Sequence, residues 1–244
     1  MYYYIFSIAL ALVCAAIGGM ASAKVHSAFK TYGAMPTRSR MTGYDTAKRL
    51  LRASDIRSVS VGRVRGSLTD HYHPKKGVVN LSESVYGSDS IAAVAVAAHE
   101  VGHVVQRERG YAPYKLRTVL VGITNIGSRL ALPLVLVGLI VDLFVISTQN
   151  SDIGFYIALA GVALYGLATV FALVTLPVEY NASARAKKML VQQGILTEEE
   201  LPYAAKMLNA AAQTYVAALF TSLLYFLRFF LWVMLMFGNR RSRD

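Results

Sequence analysis

The sequence predicts an α-helical integral membrane protein of about four transmembrane helices with a small α/β domain attached. Three observations carry that expectation. Four apolar stretches of at least 18 residues are spread along the 244-residue chain, each long enough to span a bilayer as a helix. A polar, strongly basic segment separates the first two. Hydrophobic residues make up 55% of the chain and charged ones 16%, against roughly 25% charged in soluble domains.

The first span covers residues 1–20, where "YYYIFSIALALVCAAIGGM" carries no charge. A cleavable signal peptide is the competing reading, because Ala21-Ser22-Ala23 has the small-x-small form of a cleavage site. The missing Lys or Arg at the start argues against it, and the tyrosines at positions 2–4 suit an interfacial anchor. Ala11, Ala15 and Gly18 would permit close helix packing, within the chain or in a dimer. Oligomeric state does not follow from the sequence.

Residues 24–117 form the polar α/β part. In "MTGYDTAKRLLRASDI" Thr42 is the expected N-cap, and Ala47, Leu50 and Leu51 recur at helical spacing. "SVSVGRVRGSLTDHYHPKKGVVNLS" alternates valine with small or polar residues, breaks at 73–77 and resumes at Val78, which reads as a β-hairpin. "SDSIAAVAVAAHEVGHVVQRERG" should be a buried helix with Ser88 or Ser90 as N-cap and Gly110 as its stop.

The second and third spans, residues 130–147 and 153–176, are joined by "TQNSD" and should pack as an antiparallel hairpin. Residues 178–213 read as polar-side helices. The first ends at Gly194, and Thr197 with Glu200 is a candidate capping box for the next. The fourth span covers 215–237, and a basic tail occupies 238–244.

The net charge of +11 alone could suggest a nucleic-acid binder. Of the 25 Lys and Arg, however, 16 lie between Lys24 and Arg117 beside seven acids, the pattern of a cytoplasmic membrane-side loop. No nucleic-acid partner is expected. The lone Cys14 excludes an intrachain disulfide and a cysteine-based zinc site.

The chemistry concentrates in "AAHEVGH", residues 97–103. On a helix, His99 and His103 project from one face one turn apart, and Glu100 stands beside them. This is the H-E-x-x-H arrangement, in which two imidazoles hold Zn²⁺ and the glutamate takes a proton from the water that the metal activates. Satisfied core histidines are the alternative, but they leave Glu100 in an apolar helix with no return for its desolvation. A third ligand must come from elsewhere. His71 and His73, two apart on a strand, are one source. Glu179 is the other, and topology favours it, since the third span returns the chain to the side of the His99 helix.

These residues sit in longer blocks. "MTGYDTAKRLL", "GSLTDHYHP", "LSESVYGSDSIAAVAVAAHEVGHVVQ", "NIGS", "LPVEYNASARA" and "LNAAAQTYVAA", in that order, resemble the YugP-like membrane zinc metallopeptidases (neutral zinc metallopeptidase family 2), distant relatives of the HtpX-like membrane proteases. The resemblance implies a zincin-like catalytic domain in which His99, His103 and Glu179 bind Zn²⁺ and Glu100 is the general base. The HtpX-like pattern has an acid four residues after the glutamate ligand, where this chain has Ser183. The YugP-like pattern has Asp where Asn181 stands. Both departures bear on the residues that orient the ligands.

Oxyanion stabilisation needs a donor near the scissile carbonyl, and His71, Tyr180 and Arg185 are the candidates. The 78–81 strand could take a substrate as an added strand. The basic 24–117 segment places the site on the cytoplasmic face of the plasma membrane, although Arg240, Arg241 and Arg243 would then lie outside. Asp142 and Arg228 fall at equal depth in their spans and are expected to pair. The chain therefore reads as a multi-pass zinc metalloendopeptidase acting on peptides or membrane proteins. A non-proteolytic scaffold or chaperone-like binder with a structural zinc is the alternative, and a zinc hydrolase of other substrates is a third possibility.

Overall fold

The computed structural model describes residues 2–145 and 152–241. Among these the elements run α1 (Tyr2–Gly33), α2 (Gly43–Ala53), β1 (Ser60–Val64), β2 (His71–His73), β3 (Val78–Ser82), α3 (Glu83–Tyr86), α4 (Ile91–Glu108), α5 (Ala112–Val145), α6 (Ile153–Gln192) and α7 (Leu201–Arg241). The protein is mostly helical with a small mixed sheet. Four helices, α1, α5, α6 and α7, are long and apolar enough to cross a membrane. The "TQNSD" turn up to residue 151, the side chains of the tyrosine anchor and those of the basic tail lie outside what is described.

The helices overrun the spans read from hydropathy. Nothing in "ASAKVHSAFKTYG" breaks a helix, so α1 continues through the polar residues to Gly33. Pro113 and Pro202 fall in first turns, where the missing N–H costs no bond, so α5 and α7 begin well before their apolar stretches. Pro177 does not end α6: the third span and the helix expected after it are one continuous element.

The chain forms two compact units. One takes the described residues of Met1–Gly18, Leu116–Thr175 and Val216–Asp244. Here α5 and α6 run antiparallel at close range, as expected. A Cβ on Gly138 would meet the Gly154 carbonyl at 2.5 Å, and one on Gly161 would meet that of Ala131 at 2.6 Å. Val135, Ala158, Val162, Val233 and Phe237 form the core of this unit, while large apolar side chains such as Leu132, Leu136 and Phe144 are exposed. Among the described residues, a Cβ on Gly18 would meet nothing within 4 Å beyond the helix's own backbone, so the small-residue stripe of α1 has no close packing partner at that point.

The other unit takes Gly19–Lys115 and Leu176–Tyr215. At its centre α4 is buried almost all round, packed on α2, α3 and the sheet. Thr42 and Asp45 form a reciprocal capping box at the start of α2, which puts Ala47, Leu50 and Leu51 into the core. The 35–43 segment is stapled to the entry of α4 by Ile91 N–H to Met35 O (2.8 Å) and Thr37 N–H to Asp89 O (2.9 Å). The expected box at Thr197 is present, with Thr197 N–H on Glu200 Oε2 at 2.9 Å. The other carboxylate oxygen of Glu200 accepts Arg38 N–H at 2.7 Å.

The sheet order is β1-β3-β2. The hairpin expected across residues 58–82 is confined to β2 and β3, paired Tyr72 to Val79 across a turn closed by Gly77 at φ +61°. The valine-alternating segment β1 pairs parallel to β3, Ser60 with Val78 through Val64 with Ser82. Val79 and Leu81 are fully buried, which suits β3 to the central position. Both edges of β3 are therefore taken, and an added substrate strand at 78–81, as the sequence suggested, has no place to pair. The open edges belong to β1 and β2.

Candidate metal centre

The α4 helix is capped by Ser90, whose hydroxyl accepts Ala93 N–H at 3.2 Å. Helical spacing then stacks His99 and His103, their ring centroids 4.8 Å apart and edge to face. On α6, Glu179 is 1% exposed and points its Oε2 at both rings, 3.2 Å from His99 Nε2 and 3.4 Å from His103 Nε2. One ligand atom from each of the three lies within 4.8 Å of the others, and among the described residues this is the only cluster of His, Cys, Asp or Glu able to hold a metal ion.

The spacing fits zinc. A tetrahedral ion with bonds of about 2.0–2.1 Å separates its ligand atoms by roughly 3.3–3.4 Å, close to the two distances observed. The donor set, two imidazole nitrogens and a carboxylate oxygen, is one that zinc takes at open catalytic sites. The opposite ring nitrogens are engaged elsewhere, His99 Nδ1 with Ser183 Oγ at 3.1 Å and His103 Nδ1 with Gln106 Oε1 at 3.0 Å. Bonds of that kind fix the ring orientation and leave Nε2 for the metal.

Gly102 explains how α6 comes near enough. A Cβ there would stand 2.6 Å from the Ala182 carbonyl oxygen, so the two backbones touch and Glu179, about one turn earlier on α6, reaches the histidines.

Glu100 is 9% exposed. Burial pushes its carboxyl up to about 7; His99 pulls it back, while the negative neighbours Glu179 and Asp70 lift it further. Burial likewise raises Asp70, against hydrogen bonds from Ser82 N–H at 2.7 Å and Ser82 Oγ at 2.8 Å.

The remaining candidates are distributed as follows. Ser183 bonds His99. Asn181 Oδ1 accepts from Gln106 Nε2 at 3.0 Å and from Arg185 Nε at 2.8 Å, and the Arg185 guanidinium lies 5.9 Å from the Tyr111 ring. Tyr180 is 47% exposed. His71 is outside the triad, its Nδ1 on Thr69 O at 2.9 Å and its Nε2 on Asn80 Nδ2 at 3.1 Å. His73 Nδ1 accepts Lys76 N–H at 3.3 Å. Both share the sheet face opposite Tyr72, Val79 and Leu81, the side chains packed into the core with α4. Asp142 and Arg228 form no ion pair with each other among the described residues. Asp142 backs onto Gly154, and the Arg228 guanidinium lies 5.7 Å from the Tyr225 ring.

Gln106 was not singled out by the sequence, yet it is fully buried and makes three hydrogen bonds, the third from Nε2 to Val178 O at 2.7 Å. Its signal was available: an amide three residues after His103, on the same face of an otherwise apolar helix.

A family model described as "Putative neutral zinc metallopeptidase" matches residues 5–234. The curated relative "Putative membrane protease YugP" of Bacillus subtilis (strain 168) is 40% identical over 221 residues, 91% of this chain and 92% of the relative. No solved structure matches.

Proposed function

The chain belongs to the family described as "Putative neutral zinc metallopeptidase", and from that membership we propose that it is a membrane-embedded zinc metalloendopeptidase. The observation that carries the reading is the convergence of His99, His103 and Glu179 on one point beside Glu100. His99, His103 and Glu179 hold the ion. Zinc, when bound, supplies Lewis-acid activation of water and of the scissile carbonyl. Glu100 is the general base: it takes a proton from the attacking water and passes it to the leaving amine. A carboxyl lifted by burial toward neutrality is matched to both transfers. A purely structural zinc site would have no use for that group.

The substrates are peptides or membrane proteins, reached at the bilayer by a chain that the four apolar helices of α1, α5, α6 and α7 insert. The proposed side is the cytoplasmic face of the plasma membrane, a reading supported by the excess of Lys and Arg in residues 24–117. Residues 24–117 and 178–213 act as the catalytic part, and the spans anchor it.

The test is zinc per polypeptide in detergent-purified protein, wild type beside Glu179→Ala, followed by proteolysis of a membrane-protein substrate with Glu100→Gln. The expected result is near-stoichiometric metal in the wild type, a clear loss in Glu179→Ala, and full metal without proteolysis in Glu100→Gln. No metal in the wild type would return the histidines to a packing role. Proteolysis undiminished in Glu100→Gln would remove the general base.

A further inference from the structure

We propose that Gln106 is a positioning residue: its amide fixes the proton of His103 on Nδ1 and holds the Glu179 segment of α6 in register with α4. The proposal rests on reading His99, His103 and Glu179 as the zinc ligands.

The direction of every bond in the chain is forced. Arg185 can only donate, so the atom of Asn181 that meets its Nε at 2.8 Å is the carbonyl oxygen, Oδ1. That oxygen also faces Gln106 at 3.0 Å, so Gln106 presents its NH₂ there. The backbone carbonyl of Val178 can only accept, and it faces the same NH₂ at 2.7 Å. Both amide hydrogens are then used, and the end of the amide that faces His103 at 3.0 Å is Oε1, an acceptor without alternative. His103 Nδ1 must carry the proton. In a neutral imidazole this leaves the lone pair on Nε2, the nitrogen 3.4 Å from Glu179 Oε2. The other tautomer would point a hydrogen at the metal position.

The same side chain ties together the two helices that carry ligands. Val178 immediately precedes Glu179, and Asn181 follows it by two, so Gln106 grips α6 on both sides of the third ligand. Gln106 is wholly buried, so water offers no substitute partner for any of these groups.

Two substitutions separate positioning from packing. Gln106→Leu removes both the acceptor and the donors. Gln106→Glu keeps an acceptor for His103 Nδ1–H and loses the grip on α6. Zinc affinity is read by chelator competition on the full chain in detergent, and the His103 tautomer by ¹⁵N NMR of histidine-labelled, zinc-free protein. In the wild type His103 should be protonated on Nδ1. Gln106→Leu should move that proton toward Nε2 and weaken zinc by about 10- to 100-fold. Gln106→Glu should keep the proton on Nδ1 and lose less affinity than Gln106→Leu. Equal losses in both variants with the tautomer unchanged would overturn the proposal, as would a wild-type His103 whose Nδ1 carries no proton. If Gln106→Leu does not fold, the wild-type tautomer and Gln106→Glu decide. A wild type that shows the Nδ1 proton but binds no zinc would defeat the metal reading alone.

Discussion

Gly102 of α4 and Ala182 of α6 touch backbone to backbone, so that a Cβ on the glycine would stand 2.6 Å from the alanine carbonyl oxygen. Glycine in a helix interior normally costs about 0.5–1 kcal/mol relative to alanine, so Gly102→Ala at an open position would stabilise. Here the sign should reverse. Forcing the helices apart should cost about 1–3 kcal/mol and weaken zinc with it, because Glu179 moves with α6. A thermal melt of Gly102→Ala that rises above the wild type would show that the approach is looser than described.

Ser183 is the partner of His99 Nδ1 at 3.1 Å. Ser183→Ala should leave the fold intact and lower zinc affinity by about tenfold. Chelator competition would show it, and unchanged affinity would mean that His99 is held by its packing alone.

Glu100 predicts a pH dependence of the zinc-free protein. Its folded carboxyl is lifted to about 7, above the unfolded value, so the neutral acid is the form that the fold accommodates. The associated stability is fully present below the ordinary carboxylate range and is lost as pH rises through about 7. The zinc-free protein should therefore be more stable at pH 5 than at pH 8, by roughly 2–3 kcal/mol at 1.36 kcal/mol per pKa unit, part of the effect being already lost at pH 5. Glu100→Gln should flatten that slope. Denaturation of chelator-treated protein across the range measures it, and a slope shared by both proteins would assign the effect to another group.

Asp142 and Arg228 should behave as independent sites. With Asp142 backed onto Gly154 and Arg228 over Tyr225, the stability losses of Asp142→Asn and Arg228→Gln should add in the double variant to within about 0.5 kcal/mol. A double variant that loses much less than the sum would restore the pairing expected from their equal depth.

What the sequence disclosed about this fold follows from which physical signals are local. Helical spacing, the Thr42 and Thr197 caps and the apolar stretches are set by neighbours within a turn or two, and each has its counterpart in the structure. The partner of a strand is not local. Valine alternation marked β1 as a strand but carried nothing to say that it returns parallel to β3. Polar side chains misled in the same way: the hydropathy of residues 24–33 and 178–192 drops, which reads as the end of a span, while the backbone has no reason to stop. At the site, spacing alone stacked His99 over His103. Bringing Glu179 to them depended on an 80-residue separation that only topology and family resemblance bridged. Gln106 stayed hidden because an amide in an apolar helix looks ordinary until its three partners are seen.

The discontinuity of the unit that holds His99, His103 and Glu179, built from Gly19–Lys115 and Leu176–Tyr215, has a consequence for biogenesis. The ribosome makes both histidines of α4 and the Glu100 beside them before α5 exists, and it delivers Glu179 only after the whole Leu116–Thr175 segment has been synthesised. At roughly 5–20 residues per second that delay is about 4–15 s. Throughout it the nascent chain has two of the three clustered residues and no closed site, so under the proposed function the protein would stay unarmed until residues 116–175 have been made.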